Sequence, residues 1–211
     1  MIPSATPPLA NTRTTPRRTQ AERKQQTIAK LLDATIHCLI EHGYRDTSIG
    51  RICDHAGVSH GGLFRHFSSR TALIAAATEE IGQRHLIELR RVLDDAPEGQ
   101  ELIERLVDSF RDATRSPLTA AWREVLLAAR TNEELRIAVK PALQHFETAI
   151  MDVAASLPPT PEGPRALGTL LLSLLHMFDS ESTSWTILQT EDVLQLRHDW
   201  AVKLLRDTLG G

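Results

Sequence analysis

The stretch from Thr47 to Arg70 concentrates groups that donate hydrogen bonds to oxygen. Thr47, Ser59 and Ser69 bring hydroxyls to positions that read as helix starts, and His60, Arg65, His66 and Arg70 bring imidazoles and guanidiniums. Hydroxyls and N–H groups at helix starts favour phosphate oxygens. Arg65 can donate bidentately to guanine O6 and N7, and His66 to a base or a phosphate. On a short helix, His60, Arg65 and His66 point away from Leu63 and Phe67, with His60 at the edge. Arg70 falls in the first turn of the next helix, where a cation opposes the helix dipole. An approaching phosphate would relieve that cost. Gly61 and Gly62 weaken the short helix by about 1 kcal/mol each relative to Ala. Either they admit a close approach to DNA, or the helix tolerates them because Leu63, Phe64 and Phe67 clamp it.

Other chemistries find little support. His55, His60 and His66 fall on different elements, and Cys38 and Cys53 face cores, so no metal site is expected. No nucleophile elbow, zinc-protease, phosphate-loop or dinucleotide motif occurs, so neither an enzyme nor a cofactor is expected. Trp122, His145, Phe146, His176 and Trp185 either line a ligand cavity between helices or belong to packed core.

The elements that must position these groups are helical. Residues 1–18 are rich in Pro and Thr, hold Arg13, Arg17 and Arg18 and lack any acid. They are expected to be disordered, as a basic arm on DNA or a solvated tail. Thr19 to Glu22 matches a capping box, and Ile28, Leu31, Leu32, Thr35, Ile36, Leu39 and Ile40 recur at helical spacing towards a stop at Gly43. Thr47 is expected to cap a second, short helix with Ile49, Ile52, Cys53 and Ala56 inward. Ser59 is expected to cap a third with Leu63, Phe64 and Phe67 inward, and Ser69 a longer fourth. Two short helices joined by a Gly turn describe a helix-turn-helix over about residues 47–66. Helical stripes then continue to the C-terminus. They are punctuated by a break at Asp94–Gly99, a turn at Pro117, a bend or restart at Pro141, a Pro-rich linker at 158–164 and a polar break from Glu181 to Glu191. No strand pattern and no repeat interrupts this all-α reading.

Charge divides the chain in the same way. Residues 1–70 carry 10 Lys+Arg against 5 Asp+Glu, and residues 71–211 carry 14 against 22, so the net charge of −3 hides a basic N-terminal third. That asymmetry suits an anionic partner such as nucleic acid. The two cysteines exclude a disulfide-dense secreted scaffold, and no apolar run reaches membrane-spanning length. Without a secretory segment at the N-terminus, a cytoplasmic protein is expected.

Thr47, Ile52, Ala56, Gly57, Val58, Ser59, Gly61, Leu63, His66, Phe67 and Leu73 together resemble the DNA-binding motif of the TetR family of bacterial transcription regulators. The resemblance covers residues 19–82. Phe64 stands where that family usually has Tyr, Gly62 where Thr or Ser is frequent, Gly50 where a longer side chain is common, Cys53 for Ala and Arg70 for Lys.

The resemblance implies a DNA-binding domain at 19–82 and a helical ligand-binding and dimerisation domain at 83–211. It implies a homodimer packed through the last two helices, about 165–180 and 191–208; the alternative is that both helices pack within the monomer. DNA contacts would come from Thr47, Ser48, Ser59, His60, Gly61, Gly62, Phe64, Arg65, His66 and Arg70, on double-stranded DNA carrying a palindromic operator. The expected function is a repressor released by an unidentified small molecule. A ligand-independent architectural or cell-cycle factor is the alternative.

Overall fold

The computed structural model describes residues 19–95, 99–188 and 191–210. Among the described residues nine helices and no strand occur: α1 (Gln20–Asp46), α2 (Ile49–Ala56), α3 (His60–Phe64), α4 (Arg70–Asp95), α5 (Gln100–Arg115), α6 (Pro117–Ala129), α7 (Glu133–Ser156), α8 (Pro164–Leu188) and α9 (Glu191–Leu209). The basic arm at 1–18 lies outside the described residues, as do residues 96–98 of the break after Asp94. No described helix is long and apolar enough to cross a membrane.

Local chemistry sets most helix starts. The Glu22 N–H donates to the Thr19 hydroxyl at 3.2 Å, and the Thr19 N–H donates to the Glu22 carboxylate at 2.8 Å, completing the reciprocal box at the start of α1. Ser69 caps α4 by accepting from the Ala72 N–H at 3.0 Å, and Ser116 caps α6 ahead of Pro117. Regular helix breaks at Gly43 as expected, but the chain does not leave the helix axis for good there. Gly43 takes φ +69°, kinks the chain, and a further turn runs to Asp46. The extra turn carries Thr47 into the interior, where its hydroxyl donates to the Gly43 carbonyl at 2.7 Å. The cap of α2 is therefore Ser48, which accepts from the Arg51 N–H at 3.3 Å.

Helix continues where the sequence suggested a restart at Pro141, and it covers Glu181–Leu188 of the expected polar break, of which residues 189–190 lie outside the described residues. α7 passes through Pro141, whose ring displaces the hydrogen bond to the Ile137 carbonyl. Ile137 is exposed, so water can take that carbonyl. α8 runs on from Glu181 to Leu188, and several of its polar groups find partners. The hydroxyls of Ser182 and Thr183 donate back to the Asp179 carbonyl and that of Ser184 to the Ser180 carbonyl. Glu181 itself is buried at 3% exposure, facing Arg111, Arg115 and Arg197 at 3.6, 3.1 and 3.9 Å.

The helices share three cores. Leu31, Ala34, Cys38, Ile52, Cys53, Leu63 and Leu73 hold α1–α4 together. Ile36, Ile81, Val125 and Leu135 join α1, α4, α6 and α7, and a third core with Leu89, Phe110, Leu171 and Phe178 extends through α5, α8 and α9. Among the described residues, only α4 enters all three. At 26 residues it spans about 39 Å, which makes it a strut from the short helices to the cavity described below.

Candidate nucleic-acid interface and cavity

α2 and α3 are held by capping hydrogen bonds at their ends. Gly57 ends α2 in the left-handed conformation at φ +64°, with its N–H donating to the Cys53 carbonyl. The Ser59 hydroxyl accepts from the Gly62 N–H at 3.1 Å. Leu63 is fully buried against Ile52 and Leu73, and burial of this kind contributes about 2–5 kcal/mol on truncation to Ala. Anchored by that one side chain, five residues of α3 present the rest of their surface to solvent. His60, Gly61, Phe64 and Arg65 are exposed.

Phe64 corrects the expected buried face: it is 51% exposed. α3 ends at Phe64, so Leu63 and Phe67 fill the inner side and Phe64 is turned outward beside Arg65. The two glycines separate as well. A Cβ on Gly62 would meet Val58 Cγ1 at 3.0 Å and Ser59 Oγ at 3.2 Å, whereas one on Gly61 would meet nothing within 4 Å. Gly62 is explained by packing; Gly61 leaves an open strip of backbone on the outer surface. His66 is half-buried, and its Nδ1 is sealed without a hydrogen-bond partner among the described residues.

Thr47 and Arg70 do not join this outer set. The Thr47 side chain is fully buried. Arg70 is drawn inward: its Nε donates to the Thr47 carbonyl at 2.7 Å, its Nη2 to the Tyr44 carbonyl, and its guanidinium lies 4.4 Å from the centre of the Tyr44 ring. The carbonyls of Tyr44 and Thr47 thus accept hydrogen bonds from the cation that the sequence assigned to a phosphate. Cys38 and Cys53 are buried, and burial pushes both thiols up in pKa, which suits small core residues.

One contact across the molecule escaped sequence reading. The Tyr44 N–H, freed where Gly43 kinks α1, donates to Glu124 of α6 at 3.1 Å. No sequence spacing signals a pair 80 residues apart.

A cavity of about 960 Å³ opens between α4–α8, and Trp122, Phe146 and His176 lie in its wall as anticipated. The Trp122 and Phe146 rings are 5.6 Å apart and tilted by 54°. Trp122 sits over Gly82, where any Cβ would meet its Cζ3 at 3.1 Å. His145 is elsewhere: it is exposed and pairs with Glu79 at 3.2 Å. The Trp185 side chain lies outside the described residues. His85 was overlooked, although its spacing from Ile81 and Leu89 places it on the inner face of α4. It lines the cavity, bonds to the Thr119 hydroxyl at 3.1 Å, and burial lowers its pKa. The wall also contains Arg84, Arg91, Arg105 and Arg123, each paired with a carboxylate. Among the described residues no cluster of three or more His, Cys, Asp or Glu side chains could hold a metal ion.

The surroundings of this geometry are familiar. The family model for bacterial regulatory proteins of the tetR family matches residues 31–77. An HTH-type transcriptional regulator of Mycobacterium tuberculosis is 30% identical over 189 residues, covering 89% of this chain and 97% of that protein. The HTH-type transcriptional regulator CymR of Pseudomonas putida is 25% identical over 184 residues, covering 87% of this chain and 85% of that protein. Among solved structures, a TetR-family transcriptional regulator of Rhodococcus sp. superimposes with a TM-score of 0.67 at 18% identity, covering 88% of this chain and all of the other, which speaks to the fold. The helix-turn-helix built on Leu63, the family match that spans it and a relative aligned along nearly its whole length lead to one conclusion: the chain is a transcriptional regulator, not an enzyme, and belongs to the TetR family.

Proposed function

We propose that the protein is a dimeric repressor that binds a palindromic operator and leaves it when a small molecule occupies the cavity. The observation that carries this reading is α4. It begins beside α3 and ends in the cavity wall, so one rigid element couples both sites. An occupant releases DNA only insofar as it prefers one dimer shape over the other. Residues 19–82 would form the reading head and 83–211 the effector and dimer domain, working in the cytoplasm. Exposed Val193, Leu196 and Trp200, at helical spacing on α9, together with Ile187 of α8 support a second copy packing there.

On DNA, α3 would enter the major groove with Arg65 as base reader and His60 and Phe64 at its flanks. Ser48, Ser59 and the Gly61 backbone would face phosphates, with Gly62 behind them and the accessible edge of His66 alongside. The two heads of a dimer would meet half-sites about 34–36 Å apart.

The test is fluorescence anisotropy with duplexes from the region upstream of the gene, each carrying a single base change. Arg65→Ala is expected to weaken binding by about 1–3 kcal/mol and to erase discrimination at one position per half-site. Equal affinity for every duplex in wild type and variant would overturn the reading. Binding at many unrelated sites, with no release by any metabolite, would favour the architectural alternative.

A further inference from the structure

Resting on the reading of the cavity as an effector site, we propose that its occupant is an uncharged, largely aromatic molecule that donates one hydrogen bond to Nδ1 of His85.

The hydrogen-bond network fixes the direction of that bond. Thr119 has one hydroxyl proton, and it is given to the Ala113 carbonyl at 2.6 Å. Towards His85 the hydroxyl oxygen must therefore accept, so the proton of the ring sits on Nε2. Nδ1 is left with a lone pair, and among the described residues no donor engages it. Burial keeps the ring neutral by disfavouring its charged form. Nδ1 is not sealed in the core but belongs to a ring that lines the cavity; an occupant that excludes water from it leaves an acceptor unpaired unless it brings a hydroxyl or N–H of its own.

Charge excludes the other classes. An anion would need a free cation, yet all four arginines of the wall are engaged. Arg84 pairs with Asp33 and Glu80, Arg91 with Glu88 and Asp95, Arg105 with Glu101. Arg123 holds Asp179 at 2.6 Å and also donates to Ser182 at 2.8 Å. Recruiting Arg84 or Arg123 would take a partly buried cation from Glu80 or Asp179, and Arg91 and Arg105 are exposed to water, where a cation offers an anion little. A cation has Asp112 and Glu147 available in the wall, but both are exposed to water, where a charge pair gains little. What remains is an apolar, aromatic chamber. The tilted Trp122 and Phe146 rings offer faces to a flat ring system.

The experiment is calorimetric titration of the full-length protein at pH 7.5 with four probes that share one ring system. They are 2-naphthol, 2-methoxynaphthalene, 2-naphthoate and 2-naphthylmethylammonium. We expect 2-naphthol to bind about tenfold more tightly than each of the other three, the size of one well-made hydrogen bond. In His85→Phe, which keeps an aromatic ring and removes the acceptor, 2-naphthol should fall to the affinity of the methyl ether.

Tighter binding of the naphthoate or the ammonium probe overturns the ligand class and leaves the cavity reading standing. A preference for 2-naphthol that survives in His85→Phe overturns the role of His85. Unchanged binding of the probes in Leu126→Trp, which fills the cavity, overturns the cavity reading itself. Failure of all four probes to bind a protein that still binds DNA overturns both. The comparison on wild-type protein needs no variant to fold.

Discussion

Arg70 gives the sharpest contrast between a surface role and an internal one. Its guanidinium donates to the Thr47 and Tyr44 carbonyls and lies against the Tyr44 ring. Two hydrogen bonds from a cation at about 1.5 kcal/mol each, with about 0.5 kcal/mol for the ring contact, set a ceiling of about 3.5 kcal/mol. The side chain is only half-buried, so water recovers part of this when the contacts are lost, and Arg70→Ala is expected to destabilise by about 2 kcal/mol. With a urea m-value of about 2 kcal/mol/M, the unfolding midpoint should drop by about 1 M at fixed protein concentration. Arg70→Lys should recover less than half, because an ammonium lacks the planar fork that reaches two carbonyls. The companion measurement is the salt dependence of DNA binding. A phosphate contact contributes about 0.9 to the slope of log K against log salt, and Arg70→Ala should leave that slope unaltered. An unchanged urea midpoint together with a slope lowered by about one would refute the internal role and restore the phosphate contact.

Other outcomes follow from the same structure. Glu181→Gln keeps the side-chain shape but takes the Glu181 carboxylate away from Arg111, Arg115 and Arg197. A loss of about 3 kcal/mol in urea unfolding is expected, and an unaltered midpoint would show that the cluster stabilises nothing. His85 titrates below its ordinary value of 6.5 in the folded chain. On acidification the unfolded chain therefore takes up its proton first; the stability tied to this group is complete above pH 6.5 and is lost as pH falls through the depressed value. His85→Gln should lose less stability than wild type between pH 7.5 and pH 5, and equal losses would contradict the assignment. Leu196 is 68% exposed on α9. Leu196→Glu should shift the mass measured by light scattering from dimer to monomer, and a mass unchanged from wild type would place the dimer contact elsewhere.

Much of the molecule was legible because its determinants are local. The Thr19–Glu22 box, the Ser59 and Ser69 caps and the Gly57 stop each act over three to five residues, and the chain carries them wherever it goes. The exposure of His60 and Arg65 also follows from helical spacing around Leu63, whereas His66, expected beside them, is half-buried. Errors arose where local preference met a longer-range demand. Thr47 has a cap's chemistry, yet the extra turn after Gly43 places it inside. The stretch from Glu181 reads as a break, yet arginines from two other helices and back-bonding hydroxyls keep it helical.

What the sequence alone determined is therefore the run of helices, most of their caps and the presence of a helix-turn-helix. These depend on hydrogen bonds and periodicities contained within one segment. The tertiary structure alone decided how the cations are spent. Arg70 meets carbonyls 23 and 26 residues away and Arg123 meets Asp179 56 residues away, separations at which no local pattern constrains the pair. It also decided that Trp122, Phe146 and His176 share one cavity with His85 while His145 turns away to Glu79. A cavity is bounded by several helices at once, and its shape is set by how their faces pack rather than by the order of residues along any one of them.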